Sequence, residues 1–88
     1  MKYRIETTPK FDKEFKKLDK YTMKMIKSWI SKNLVDCENP RSFGKGLTSN
    51  RSGQWRYRIG DYRLICKIND SELIILALSV GHRREIYE

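Results

Sequence analysis

At 88 residues the chain has room for one domain with a single small core. Nineteen Lys and Arg against eleven Asp and Glu leave a net charge of +8, so acidic partners are expected: RNA, DNA or an acidic protein segment. No apolar run approaches the roughly 20 residues of a membrane span, Met1–Thr8 is charged and lacks the apolar stretch of a secretory signal, and Cys37 and Cys66 lie far apart with no CxxC or histidine cluster, so a cytoplasmic chain with two reduced thiols, no metal site and no cofactor is expected.

In chain order, Lys2–Glu6 alternates Tyr3 and Ile5 with charged residues and reads as a first strand. Thr8-Pro9 is a helix start, with threonine as the cap and proline in the first turn. Phe11, Phe15 and Leu18 then recur at helical spacing, and Asp19–Thr22 allows a short break. Met23, Ile26, Trp29, Ile30 and Leu34 form a second helical stripe, which Cys37–Pro40 ends because the residue before proline disfavours helix. A short link predicts an antiparallel helix pair whose stripes cover one face of a sheet. Lys10, Lys13, Lys16, Lys17, Lys20, Lys24 and Lys27 fall on the outer faces, either as a solvated surface or as an electrostatic footprint on nucleic acid. Arg41–Gly53 reads as a loop rich in Gly and Ser, without the spacing of a nucleotide-binding loop, and Leu47 is its expected anchor to the core.

From Gln54 the chain reads as two strand-turn-strand units. Trp55, Tyr57 and Ile59 alternate with Arg56 and Arg58, and Gly60-Asp61 suits a two-residue primed turn. Tyr62, Leu64, Cys66 and Ile68 alternate with Arg63, Ile65 and Lys67. If Gly60-Asp61 is the whole loop, Ile59 pairs with Tyr62, Arg58 with Arg63, Tyr57 with Leu64 and Trp55 with Cys66. One face is then apolar and meant for the helices; the other carries Arg56, Arg58 and Arg63. Like charges directly opposite destabilise a sheet by roughly 0.2–1 kcal/mol. Either the two guanidiniums splay into water, or an anion such as a phosphate lies between them. Asn69-Asp70-Ser71 is turn chemistry, and Leu73–Val80 is a continuous apolar run expected as a central strand. Gly81 ends it, and His82, Arg83 and Arg84 should emerge beside the arginines of the first hairpin, with Tyr87 in reach. The expected architecture is α+β: a β-α-α-β-β-β order with two antiparallel helices on a mainly antiparallel four-stranded sheet, in one domain over residues 1–88.

The run YRL at Tyr62–Leu64, the apolar strand and VGHRREIY at Val80–Tyr87 resemble the RelE/ParE toxin superfamily, on the RelE side, over essentially the whole chain. The resemblance implies a ribosome-dependent endoribonuclease that cuts mRNA in the decoding site. It further implies a cognate RelB-like antitoxin that wraps and silences the toxin, a monomeric free toxin and a hetero-oligomeric complex. Any contact with DNA would come through the antitoxin. Carried onto this sequence, Arg63 would stabilise the phosphate in the transition state, Arg83 would act at the leaving oxygen, and Tyr87 would stack on a base. Arg56, Arg84 and Lys45 would hold RNA.

RNA cleavage by its own 2′-hydroxyl also needs a base and an acid. His82 is the only histidine, which excludes a two-histidine mechanism. Arg56 and Arg58 occupy strand positions where RelE-like toxins often carry lysines, and arginine essentially cannot lose its proton. Either Arg58 does not act as base and His82 replaces it, or the enzyme works by positioning and charge alone. Glu85 and Glu88 read more naturally as structural ion-pair partners. Two other functions compete: a ParE-like toxin that binds DNA gyrase and cuts no RNA, and a noncatalytic nucleic-acid-binding module.

Overall fold

The computed structural model describes residues 1–47 and 53–85. The elements follow the order β1 (Arg4–Thr7), α1 (Pro9–Lys16), α2 (Lys20–Asn33), a 3-10 turn (Pro40–Ser42), β2 (Lys45–Gly46), β3 (Gln54–Ile59), β4 (Tyr62–Asn69) and β5 (Ile74–His82). The sheet order is β1-β5-β4-β3-β2, parallel between β1 and β5 and antiparallel elsewhere. The sheet thus has five strands, not the four expected. The extra strand, β2, is two residues of pairing inside the segment read as loop, too short to leave a periodic signal. Gly44 leads into it with φ +79, and a Cβ there would lie 2.2 Å from the Arg56 carbonyl oxygen, so only glycine lets the chain approach β3 so closely.

Both helices start where their caps dictate. The Thr8 side chain accepts from the Phe11 amide, and Asp19 accepts from the Thr22 amide. The residues read as a break therefore become the first turn of α2. That helix ends at Asn33, a turn before the expected Cys37–Pro40 stop, because the chain turns back through Asp36 at φ 60. The Asp36 amide donates to the Tyr3 carbonyl and the Tyr3 amide to the Cys37 carbonyl. This pairing takes Tyr3 out of the sheet, so β1 begins at Arg4 rather than Lys2.

α1 lies over β5 and α2 over β3. Between helices and sheet, Phe11, Ile26, Leu34, Tyr57, Leu64, Cys66, Ile75, Ala77 and Val80 form the main core. The apolar hairpin face predicted from sequence does meet the helices. Tyr57 is fully buried and donates its hydroxyl to the Pro40 carbonyl at 2.6 Å. Burial raises its pKa. Trp29 packs on both Tyr57 and Phe43, and the Trp55 indole donates to the Phe43 carbonyl at 2.6 Å. These contacts fasten the 3-10 turn and β2 to the end of β3. Leu47 anchors as expected, but on the other face of the sheet, in a separate small cluster with Ile65 and Leu78.

Candidate functional site

The β3–β4 register is the predicted one, with Ile59 opposite Tyr62 and Arg58 opposite Arg63. Gly60 has φ +60, as a primed two-residue turn requires at its first position. Alternation sends Tyr57, Ile59 and Leu64 into the core, so Arg56, Arg58 and Arg63 stand on the face the helices leave uncovered. Two cross-strand rows result. One runs Lys45–Arg56–Ile65–Ser79 and the other Arg58–Arg63–Gly81. Neither contains a carboxylate or an imidazole. Directly opposite residues have Cβ atoms about 4.5–5.5 Å apart, so cation faces cation in both rows.

Burial and charge crowding both act on Arg56. Burial lowers its pKa most, and the charges of Arg63 and Arg58 lower it further. Among the described residues the side-chain ion pairs are Arg4–Glu6 and Arg41–Asp70, and neither involves Arg58, Arg63, Arg83 or Arg84. Arg58 is exposed and Arg63 half-buried. Such a face can hold an anion whose oxygens match the guanidinium fork. No group of acids, cysteines and histidines able to hold a metal occurs among the described residues.

The Arg83 amide donates to the Asp61 carbonyl at 2.8 Å, which fixes the start of the tail against the hairpin turn that joins Arg58 to Arg63. Arg83 and Arg84 are exposed. Tyr87 and Glu88 lie outside the described residues.

His82 is placed elsewhere. It pairs with Tyr62 and packs edge-on against that ring, with centroids 5.4 Å apart, on the helix side of the sheet. There it borders a cavity of about 490 Å³ lined by Glu14, Lys17, Asp19 and Glu85 among others. The cause is a β-bulge. Ile65 pairs with Ser79 but Cys66 with Ala77, so Leu78 is an extra residue in β5. Strict alternation from Ile75 and Ala77 would put His82 on the arginine face; the inserted residue reverses the phase beyond it. The expected meeting of His82 with the hairpin arginines therefore does not occur. The His82 ring instead accepts from the Arg84 amide at Nδ1.

Sequence reasoning also passed over Glu14. Its carboxylate accepts from the Ser79 hydroxyl at 2.9 Å and from the Val80 amide at 3.1 Å, ties that hold α1 to β5 just past the end of β1. A lone acid in a lysine-rich helix gives no signal for this role.

No helix among the described residues is long and apolar enough to cross a membrane. Over residues 5–87 the sequence matches the family described as the ParE toxin of the type II toxin-antitoxin system, parDE. None of the curated proteins matches it. The fold is similar to that in the toxin-antitoxin complex RelBE2 from Mycobacterium tuberculosis, with 25% identity, a TM-score of 0.85 and coverage of 94% of this chain and 93% of that one. It is also similar to the archaeal RelE-RelB complex from Pyrococcus horikoshii (24% identity, TM-score 0.70, 98% and 100% covered). YafQ from E. coli shares the fold at 19% identity, with a TM-score of 0.64 and coverage of 98% and 99%. The chain belongs to the ParE toxin family of type II toxin-antitoxin systems, within the RelE/ParE superfamily.

Proposed function

We propose that this toxin is a metal-independent, ribosome-dependent mRNA endoribonuclease that inhibits translation. The observation that carries the reading is Arg58 directly opposite Arg63 on the sheet face away from the helices, with no carboxylate in either of the two rows. A fold-only sequence gains nothing from that pairing, whereas a scissile phosphate between two guanidiniums turns repulsion into charge-assisted binding. Arg63 stabilises the charge growing on phosphorus during attack by the 2′-hydroxyl, and Arg83, held beside the turn, serves the leaving oxygen. Lys45, Arg56 and Arg84 hold flanking phosphates, and Tyr87 stacks on a base. His82 does not serve as the base from the helix side of the sheet. The rate then comes from charge stabilisation and from the geometry that the ribosome imposes on the mRNA.

The partner that silences it is a cognate RelB-like antitoxin, in keeping with the complexes that share the fold. The cleft between the helices is largely apolar, about 270 Å³, lined by Ile5, Phe11, Phe15 and Ile30 with Asp12 and Lys27 beside them, and suits an antitoxin segment with apolar anchors. The free toxin is monomeric, the complex hetero-oligomeric and cytoplasmic, and DNA is met only through the antitoxin.

A second reading has its own support. The family matched is that of ParE, and the arginine rows lack a group that titrates near neutrality. On that reading the chain binds DNA gyrase and leaves RNA intact. Primer extension on a defined mRNA, with and without programmed ribosomes, beside a gyrase supercoiling assay, separates the two. New 5′ ends that require ribosomes support the nuclease; inhibited supercoiling with intact mRNA supports the gyrase binder.

A further inference from the structure

The face opposite the helices holds, besides its arginines, a cavity of about 320 Å³. It is lined by Thr8, Lys10, Gln54, Ile65, Leu78 and Ser79. That volume falls at the lower end of small-ligand sites, roughly 300–1,000 Å³. Its apolar surface is Ile65 and Leu78, which belong with Leu47 to the second cluster, separate from the core beneath the helices. Ile65 is buried and Leu78 is half-buried, so the pocket has an apolar floor and one accessible wall. The bulge at Leu78 helps make it, because a bulge aims a side chain where regular pairing would not.

Two features point to the occupant. The first is position. Ile65 lies directly opposite Arg56 and two residues from Arg63 on the same face of β4, a step of about 7 Å. A chain with its phosphate at Arg58 and Arg63 would bring its neighbouring unit over this pocket. The second is Gln54. It shares a face of β3 with Arg56 and Arg58, is half-buried, and its side-chain amide makes no hydrogen bond to another described residue. A carboxamide presents a donor beside an acceptor, the pattern that reads base edges. Apolar floor, side-by-side donor and acceptor, and flanking cations match an unpaired nucleobase and its phosphate, not a peptide or a lipid.

We propose that this pocket receives one unpaired base of an RNA strand whose adjacent phosphate lies between Arg58 and Arg63, and that Gln54 sets which base is accepted. The proposal rests on the RNA-cutting reading for its ligand class. Single-stranded RNA is read through splayed bases, hydrogen-bonded on their edges and packed on protein faces.

The test is binding of short fluorescent oligoribonucleotides, one for each base, to the full chain and to Gln54→Ala, Leu78→Ala and Arg63→Ala. It is run across a salt series and paired with cleavage on programmed ribosomes. The full chain should prefer one base by roughly fivefold to a hundredfold. Gln54→Ala should flatten the preference and keep the salt slope, which also shows that it is folded. Leu78→Ala should weaken the favoured oligomer most. Arg63→Ala should weaken all four alike and reduce the slope of log affinity against log salt by about 0.7. No binding, binding indifferent to base, or a preference that survives Gln54→Ala overturns the pocket. Base-selective binding without cleavage on ribosomes leaves the pocket standing and removes the nuclease reading.

Discussion

Arg58 and Arg63 face each other across the β3–β4 ladder on the side of the sheet opposite α1 and α2. Removing either charge should relieve a repulsion worth roughly 0.2–1 kcal/mol. Arg58→Ala, exposed in the fold, is therefore expected to match or slightly exceed the parent stability in urea denaturation. Phosphate or sulfate should raise the melting temperature of the parent in proportion to its occupancy. The same anions should raise that of Arg58→Ala and Arg63→Ala much less. An equal rise in all three proteins would mean that the anion sits elsewhere.

His82 lies on the helix side, against Tyr62. Its loss should therefore cost far less than the ~100- to 10,000-fold that removal of a general base costs. The check is single-turnover cleavage by His82→Gln on programmed ribosomes across pH 5 to 8, where a free imidazole titrates at about 6.5. A pH profile the same as the parent's is expected. A profile that loses an inflection near neutrality would assign His82 a catalytic proton.

How the two arginines could be paired from the sequence, and His82 could not be placed, has one physical cause. A two-residue loop fixes every pair in the hairpin, and Gly60-Asp61 announces that loop. Beyond Ala77 the phase depends on whether a residue is inserted, and the apolar run LIILALSV looks the same with or without a bulge at Leu78. The start of α1 was legible because Thr8-Pro9 carries cap chemistry, whereas Asp19, which caps α2, was read as part of a break. The end of α2 was not legible, because it is set by Tyr3 pairing with Asp36 and Cys37, far away in sequence. β2 escaped for the same reason: it depends on Gly44 meeting the backbone of β3.

Tyr57 is the pin between the 3-10 turn and the core. Tyr57→Phe keeps the ring and removes the hydroxyl, which strands the buried Pro40 carbonyl at a cost of about 1–3 kcal/mol. Equilibrium urea unfolding at neutral pH measures it. No change in midpoint would show that water or a shifted backbone replaces the bond.

Asp70 ties three segments together. Both its oxygens accept from Arg41, at 2.9 and 3.0 Å, and the Tyr3 hydroxyl donates to it at 2.6 Å. Arg41 first and Tyr3 second hold its pKa below the usual carboxylate value. A depressed folded pKa stabilises above the unfolded value, about 3.9, and the contribution fades as pH falls through the lower folded value. Melting temperature should thus fall on acidification below about pH 4 more steeply in the parent than in Asp70→Asn. Parallel curves would show that the exposed clasp contributes nothing to pH dependence.

The central claim is that the opposed arginines bracket the scissile phosphate of an mRNA on the ribosome. The measurement that meets it most directly is the single-turnover rate of cleavage of a defined mRNA on programmed ribosomes by the parent, Arg63→Ala and Arg83→Ala. The expected result is ribosome-dependent cutting by the parent and losses of about 100-fold or more in each variant, the scale of removing a transition-state charge donor. Intact mRNA with the parent, or cutting that survives Arg63→Ala undiminished, would contradict the claim.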